Sequence, residues 1–216
     1  IKNRPQWYTV TGRSKVYVNK VLQTISGEYF KNYKIKSVSR NENSVRLYYG
    51  SSNEYFDYDK VVFATHADQT LNLIKNPTNN EKNILSHFKY KKNVAYLHYD
   101  ESLMPYNKKV WSSWNSILDK KDLSKNCVTY WLNKLQNLKT KTNFFLTLNP
   151  FVAIKHKKII KKVEFTHPFY DMEAIKAQKN LYELQGKNNS WFCGSYFGYG
   201  FHEDGLKSSI SIVDKI

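Results

Sequence analysis

The spacing of apolar positions changes several times along the chain, and each change marks an element. Val18, Val21, Leu22 and Ile25 recur at near-helical intervals, which predicts a helix capped by Ser14 and ending at Gly27. Two short runs rich in aromatic and β-branched residues follow, Tyr33 to Val38 and Val45 to Tyr49. Asn41, Glu42 and Asn43 between them predict a hairpin. After a turn-rich piece at Gly50 to Asn53, the run Lys60-Val61-Val62-Phe63-Ala64-Thr65 is apolar on successive residues. That pattern is expected of a strand covered on both faces, as in a parallel sheet. His66, Ala67 and Asp68 then lead into a helix through Leu71 and Ile74.

From about Asn79 the texture changes. A helix around Ile84 and Phe88 precedes five segments of aromatic and β-branched content: Val94 to Tyr99, Val110 to Ile117, Val128 to Leu132, Phe144 to Leu148 and Ile159 to Phe165. Pro105, Asn107, Asn126 and Pro150 separate them, which predicts a largely antiparallel sheet. Asp171 is placed to cap a helix through Ala174, Ala177, Leu181 and Leu184, ending near Gly186. Trp191-Phe192-Cys193 reads as a short buried strand, and Asp204 to Ile216 as a closing helix.

The resulting order implies a mixed α/β (α+β) fold. A discontinuous domain, residues 1–86 and 169–216, flanks an inserted antiparallel sheet at residues 87–168.

Composition narrows the class. With 41% hydrophobic and 16% aromatic residues in 216, the chain is too apolar for a disordered tail. No apolar run approaches the roughly 18 residues of a membrane-spanning helix, so a soluble or peripheral protein is expected. The first residue is Ile1, so the true start is expected to have been removed by processing or truncation. The net charge of +16 raises nucleic acid as a partner, yet only Arg4, Arg13, Arg40 and Arg46 of the 34 basic residues are arginine. The lysines are scattered, so no nucleic acid is expected, while attraction to an anionic membrane surface stays open.

Cys127 and Cys193 lie far apart and match no metal or CxxC spacing, which points to a reducing, cytoplasmic setting. The six histidines show no HxxxH or HxH spacing, so no metal site is expected. No Gly-x-Ser-x-Gly elbow supports a hydrolase. Trp111, Trp114, Tyr130 and Trp131 are candidates to line a substrate cavity, with core packing as the alternative.

The most informative stretch is Cys193-Gly194-Ser195-Tyr196-Phe197-Gly198-Tyr199-Gly200-Phe201-His202-Glu203-Asp204-Gly205-Leu206, which holds four of the eight glycines. Glycine after a buried strand lets the backbone approach a ligand, and the next helix points free N–H groups back into the same loop. Such a junction suits an anionic or electron-rich ligand. An ordinary glycine-rich turn with aromatic packing is the alternative.

This stretch resembles the C-terminal flavin motif of the flavin-containing amine-oxidase superfamily. Cys193-Gly194-Ser195 matches the triplet that ends a strand, and Asp204-Gly205-Leu206 matches the start of the following helix. The strings GYGFHEDGL, WSSWN from Trp111, YWLNKLQ from Tyr130, LTLNP from Leu146, RPQWYTV from Arg4 and FATHADQTL from Phe63 are similar to a bacterial subgroup of NAD/FAD-binding, amine-oxidase-like proteins. The similarity runs over essentially the whole chain.

The resemblance implies a Rossmann-like NAD(P)/FAD-binding domain interrupted by a substrate domain, with FAD as cofactor. It places Val38 against the adenine, Ala64 and Thr65 at a strand end facing the cofactor, and Gly194 and Ser195 near the ribityl–phosphate part. Glu203, Asp204 and Gly205 would direct backbone N–H groups at the flavin N1 and O2 edge. His202 would stand beside the ring as the one catalytic candidate, a polar wall or an acid–base group, with a purely structural role as the alternative. The implied reaction is hydride transfer from a small-molecule or lipid-like substrate to flavin N5, and a helix N-terminus would stabilise the charge left on the ring.

Two departures stand out. Ser195 occupies a position where many relatives carry a carboxylate, and no GxGxxG exists for the pyrophosphate. The chain is therefore expected to be a fragment that needs a missing N-terminal segment of the same protein and is inactive alone. Two rivals remain: a basic non-catalytic module for anionic lipid or nucleic acid, and a fold that persists without catalysis.

Overall fold

The computed structural model describes residues 6, 8–51, 54–119, 121–122 and 125–216; the start of the Arg4 to Val10 string and Asn53 lie outside these. In chain order the helices and strands are α1 (Ser14–Thr24), β1 (Ile35–Arg40), β2 (Val45–Tyr49), β3 (Glu54–Tyr58), β4 (Val61–Phe63), α2 (Ala67–Leu73), α3 (Asn79–Leu85), β5 (Lys89–His98), β6 (Trp114–Leu118), β7 (Asn126–Trp131), α4 (Leu132–Leu135), β8 (Phe145–Leu148), β9 (Ile159–Phe169), α5 (Met172–Gln178), β10 (Ser190–Phe192) and α6 (His202–Val213). They form two compact units, one of residues 32–92 and 166–216, the other of residues 1–31 and 93–165.

In the unit of residues 32–92 and 166–216, β1, β2 and β3 form an antiparallel meander. The expected hairpin is present, closed by the Asn41 side chain, which accepts the N–H groups of Asn43 and Ser44 at 2.8 and 2.7 Å. The third strand, β3, had no signal of its own. Of its five residues only Phe56 is half-buried, stacked 4.7 Å from Tyr49, so the strand follows from pairing with β2 and carries no apolar period.

β4 and β10 pair in parallel, Val61 opposite Ser190 and Phe63 opposite Phe192. Phe63 and Phe192 stack at 5.4 Å and join a core with Val38, Val45, Leu85, Leu181 and Tyr196. The expectation of burial on both faces of β4 is corrected: Val62, on the opposite face, is 43% exposed.

Three devices fix the helices of this unit. Thr78 and Glu81 form a capping box at α3, and Asp171 caps α5 by accepting the Ala174 N–H at 2.9 Å. α5 stops at Gln178, short of the single helix expected, because the chain tightens into a separate turn at Leu181–Leu184 before Gly186 turns left-handed at φ 76°. Arg40 grips Glu81 in a fork of 2.6 and 2.9 Å and also donates to Ser190 at 3.2 Å, tying β1, α3 and β10 together with both charged side chains 3% exposed. Burial alone would raise the Glu81 carboxyl, but the bonds from Arg40 and Thr78 outweigh it and hold it below its ordinary value.

The other unit contains β6, β7, β8, β5 and β9 in that order, and β6/β7, β7/β8 and β8/β5 are antiparallel. This agrees with the antiparallel expectation, although β6 begins at Trp114 and the residues before it turn under an Asn107 cap. Met104, Trp111 and Phe145 make a small core. Beside it runs a polar row: His98 meets Thr147 at 2.8 Å, and Thr147 meets Thr129 at 2.8 Å, all fully buried. The Asp100 N–H donates to His98 Nδ1 at 3.1 Å, which leaves the proton of the neutral ring on Nε2.

Helix α1 belongs to this unit. Ser14 is its first residue and not its cap; Arg13 holds the cap position at φ 68° and makes no side-chain cap bond, and the helix ends at Thr24, three residues before Gly27. None of its residues is buried. Among the described residues no helix is long and apolar enough to cross a membrane, Cys127 and Cys193 are buried free thiols, and no group of three metal-ligating side chains occurs.

Candidate functional site

The ends of β4 and β10 meet the start of α6. Cys193 donates its N–H to the Phe63 carbonyl at 3.0 Å, extending the parallel ladder by one rung. The chain then passes Gly194, where a Cβ would lie 2.7 Å from the Tyr196 ring and 3.8 Å from the Thr65 carbonyl, so only glycine lets strand and ring close together. A Cβ on Gly205, in the first turn of α6, would stand 3.6 Å from the Ser195 nitrogen and 3.9 Å from the Gly194 carbonyl carbon. The two glycines thus face each other.

Four side chains hold this junction. Ser208, in the second turn of α6, accepts the Gly194 N–H at 2.9 Å and donates to the Gly205 carbonyl at 2.7 Å. Gln178 of α5 donates to the carbonyls of Tyr196 at 3.0 Å and Gly198 at 2.6 Å, and the Tyr170 hydroxyl donates to the Ser195 carbonyl at 3.3 Å. Asp204 folds back to accept the N–H groups of Tyr199 and Phe201 at 3.0 and 2.9 Å, fixing residues 198–201 around Gly200 at φ 94°. None of these four roles was foreseen. Ser208 was detectable, since it stands three residues after Gly205 and completes a small-residue face on the helix.

Burial pushes the phenols of this region up, Tyr170 and Tyr196 among them, and Tyr90 to about 12. Tyr90 accepts the Ala67 N–H at 2.9 Å and stacks on His66 at 4.2 Å. The Tyr196 hydroxyl is buried with no hydrogen-bond partner among the described residues.

The structure brings together Thr65, Gly194, Ser195, Asp204 and Gly205 and places His202, Glu203 and Leu206 exposed on the same helix start. At two of the expected contacts the backbone groups have partners within the chain. The N–H groups of Asp204 and Gly205 both donate to the Phe201 carbonyl, at 3.1 and 3.2 Å, so helix geometry leaves those of His202 and Glu203 at the head of α6. The Val38 carbonyl accepts the Lys75 N–H at 2.9 Å, and Val38 is buried in the core. Ala64 is exposed beside Thr65 at the end of β4. Because Asp204 already sets a carboxylate against the helix start, the junction suits a polar, electron-rich edge better than a free anion.

The four aromatic substrate candidates separate. Trp111 is locked in the core, edge-on to Trp131 at 5.2 Å and donating to the Pro105 carbonyl at 2.7 Å. Trp131 donates to Asn143 at 3.0 Å and packs against that core. Trp114 is exposed and lines a cavity of about 630 Å³ with Tyr8, Lys134 and Asn137; Tyr130 lies opposite it on β7, rings 6.4 Å apart. Trp111 and Trp131 are therefore packing residues, and Trp114 alone of the four lines this cavity.

No family model matches the chain, and no curated protein matches it by sequence. Solved structures do match. A CLA-producing fatty acid isomerase from P. acnes aligns with a TM-score of 0.66 at 14% identity, over 94% of this chain and 52% of its own. Putrescine oxidase bound to putrescine aligns at 0.60 and 8% identity, over 94% and 53%. Cyclohexylamine oxidase from Brevibacterium oxydans IH-35A aligns at 0.54 and 10% identity, over 84% and 48%. The chain spans about half the length of each, and the likeness establishes a fold shared with these structures.

Proposed function

We propose that this chain forms part of an FAD-dependent oxidoreductase of the amine-oxidase type, taking hydride from a substrate not yet identified. The observation that carries the reading is the contact of Gly205 with the Gly194-Ser195 backbone, 3.6 and 3.9 Å from a Cβ position, at the shared carboxyl end of two parallel strands. Ligands of open α/β sheets bind in that place.

The residues fit the flavin end of the cofactor. FAD would supply a two-electron acceptor for hydride leaving a substrate carbon. Gly194 and Ser195 would hold the ribityl part by close backbone approach, and Ala64 and Thr65 would close the strand side. The His202 and Glu203 N–H groups would donate to the polar edge of the ring, where prearranged donors act without reorganising. His202 would form a polar wall, and Trp114 a wall of the substrate cavity in the sheet unit. The residues do not fit the pyrophosphate, since the sequence has no GxGxxG, so that part belongs to polypeptide beyond this chain.

A basic module for lipid or nucleic acid is less well supported. Of the arginines, Arg40 is buried on Glu81, Arg46 is paired with Asp57 at 2.7 Å and Arg13 with Gln136 at 2.9 Å. Among the described residues those arginines are already engaged, leaving lysines that bind phosphate without geometric selectivity. Anaerobic mixing of the flavin-loaded, extended protein with primary amines, polyamines and unsaturated fatty acids tests the reading. Loss of the flavin's visible colour with one class identifies the substrate; bound flavin that no class bleaches supports a fold retained without catalysis.

A further inference from the structure

Residues 150–162 read PFVAIKHKKIIKK, an apolar half followed by a basic half in which Ile159 and Ile160 interrupt the lysines. The sheet unit holds the basic half in a fixed turn. The Lys155 N–H donates to Asp100 at 2.9 Å, the Tyr99 hydroxyl donates to the Lys157 carbonyl at 2.8 Å, and the Tyr99 N–H donates to the Lys158 carbonyl at 3.1 Å. Two carboxylates nearby are matched by cations, Asp100 by Lys158 at 3.5 Å and Glu164 by Lys162 at 3.8 Å. Lys155, Lys157 and Lys161 are exposed, and their ammonium groups have no partner among the described residues.

The apolar half is not packed away. Val152 is 40% and Ile160 50% exposed. With Phe151, Ile154, Ile159 and Tyr96, Val152 borders a hollow of about 350 Å³ in which the Tyr96 phenol is the one polar side chain among the described lining residues. Lys162 stands 6.0 Å from the centre of the Tyr96 ring, and side chains two apart on a strand share a face, so Ile160 and Lys162 lie on the face where the hollow opens.

Aliphatic side chains beside unpaired lysines suit a lipid surface. The apolar groups enter the boundary between headgroups and acyl chains, and lysine stems lie along it with the charge turned to phosphate. Lysine is a compact point charge, which matches a headgroup layer whose phosphates hold no set positions. Single-stranded nucleic acid would use the same cations but stacks its bases on aromatic faces, and it gains nothing from an aliphatic hollow.

We propose that residues 150–162 dock this protein on an anionic phospholipid bilayer, with Val152 and Ile160 entering the headgroup boundary and Lys155, Lys157 and Lys161 meeting phosphate. Docking accompanies the chemistry of the Gly194–Gly205 junction and does not replace it. It uses none of the residues assigned to flavin.

Co-sedimentation of the protein from the complete reading frame reads the docking, with vesicles of phosphatidylcholine alone and of phosphatidylcholine mixed with phosphatidylglycerol. Binding is expected to the mixed vesicles and not to the neutral ones. Lys155→Gln/Lys157→Gln/Lys161→Gln should weaken it about a hundredfold, at roughly fivefold per lysine near the surface. The charge-matched control Lys109→Gln/Lys139→Gln/Lys141→Gln, exposed lysines outside the stretch, should lose at most about fivefold. Val152→Ser/Ile160→Ser should weaken binding about tenfold or more through lost apolar burial. A polarity-sensitive dye on Val152→Cys should shift to the blue with mixed vesicles only, since Cys127 and Cys193 are buried and stay unlabelled.

Equal loss in the two lysine triples would trace the binding to net charge, an unshifted dye would leave the lipid boundary unentered, and full competition by glycerol phosphate would reduce the site to a phosphate trap. Each of these overturns the proposal. So does tighter binding to an oligonucleotide than to mixed vesicles, unchanged in the serine pair. Flavin content enters none of these readouts, so a colourless protein that docks would sink the flavin reading alone.

Discussion

Ser208 clamps Gly194: its hydroxyl accepts the glycine N–H at 2.9 Å and sends its own proton to the Gly205 carbonyl at 2.7 Å. One buried side chain therefore sets the distance between the strand end and the helix start. Ser208→Val keeps a small volume but strands the Gly194 N–H, and a loss of about 1–3 kcal/mol is expected in denaturant unfolding. Ser208→Thr, which keeps the hydroxyl, should lose less.

Gly205 separates folding from binding. A methyl there meets Ser195 N at an ordinary 3.6 Å, and alanine is favoured over glycine in a helix by up to about 1 kcal/mol, so Gly205→Ala should fold at least as stably as the parent. Gly205→Leu should fill the junction. Titration of FAD into the extended protein is expected to show its affinity reduced about tenfold or more, the cost of roughly 1.4 kcal/mol of lost contact.

The buried Arg40–Glu81 fork predicts a non-additive pair. Removing one partner, as in Glu81→Leu or Arg40→Met, leaves a charge buried and should cost about 3–5 kcal/mol, whereas the double variant Arg40→Met/Glu81→Leu should recover most of it. A double-mutant cycle on thermal unfolding reads this directly.

His98 makes the sheet unit sensitive to acid. Burial is the main cause holding its ring below the ordinary value of 6.5, against the opposing pull of Asp100. A depressed folded value means the neutral form is native, so its stabilisation is complete above pH 6.5 and is lost as pH falls from there through the folded value. Asp100 opposes burial with bonds from Lys155 and Ser102 and the nearby Lys158, and its carboxyl lies below 3.8. Its contribution is lost only at more acid pH. Unfolding between pH 7 and 5 should steepen in the parent and flatten in His98→Gln; equal slopes would remove His98 as the cause.

What the sequence made readable follows from local physics. The Asn41 hairpin, the Asp171 cap and the adjacency of Gly194 to Gly205 each rest on a residue whose own chemistry demands the conformation. β3 was invisible because its five residues are recruited by β2, and Ser14 missed the cap by one position because Arg13 takes the left-handed turn. The double coverage of β4 failed because a continuous apolar run does not say which face is covered, and among the described residues Phe63 is buried while Val62 is exposed. Trp111 and Trp114, three residues apart, could not be separated by type; one finds the Pro105 carbonyl and a core, the other a cavity wall. Gln178 and Gln185 act through backbone carbonyls and amides brought near by folding, a role that glutamine in a sequence does not announce.

The central claim is that the Gly194–Gly205 junction receives a flavin. It is tested most directly by the visible spectrum and flavin stoichiometry of the protein purified from the complete reading frame. The account predicts one tightly held FAD per chain, released or much weakened by Gly205→Leu. A well-folded, complete protein that is colourless and takes up no added FAD would contradict it.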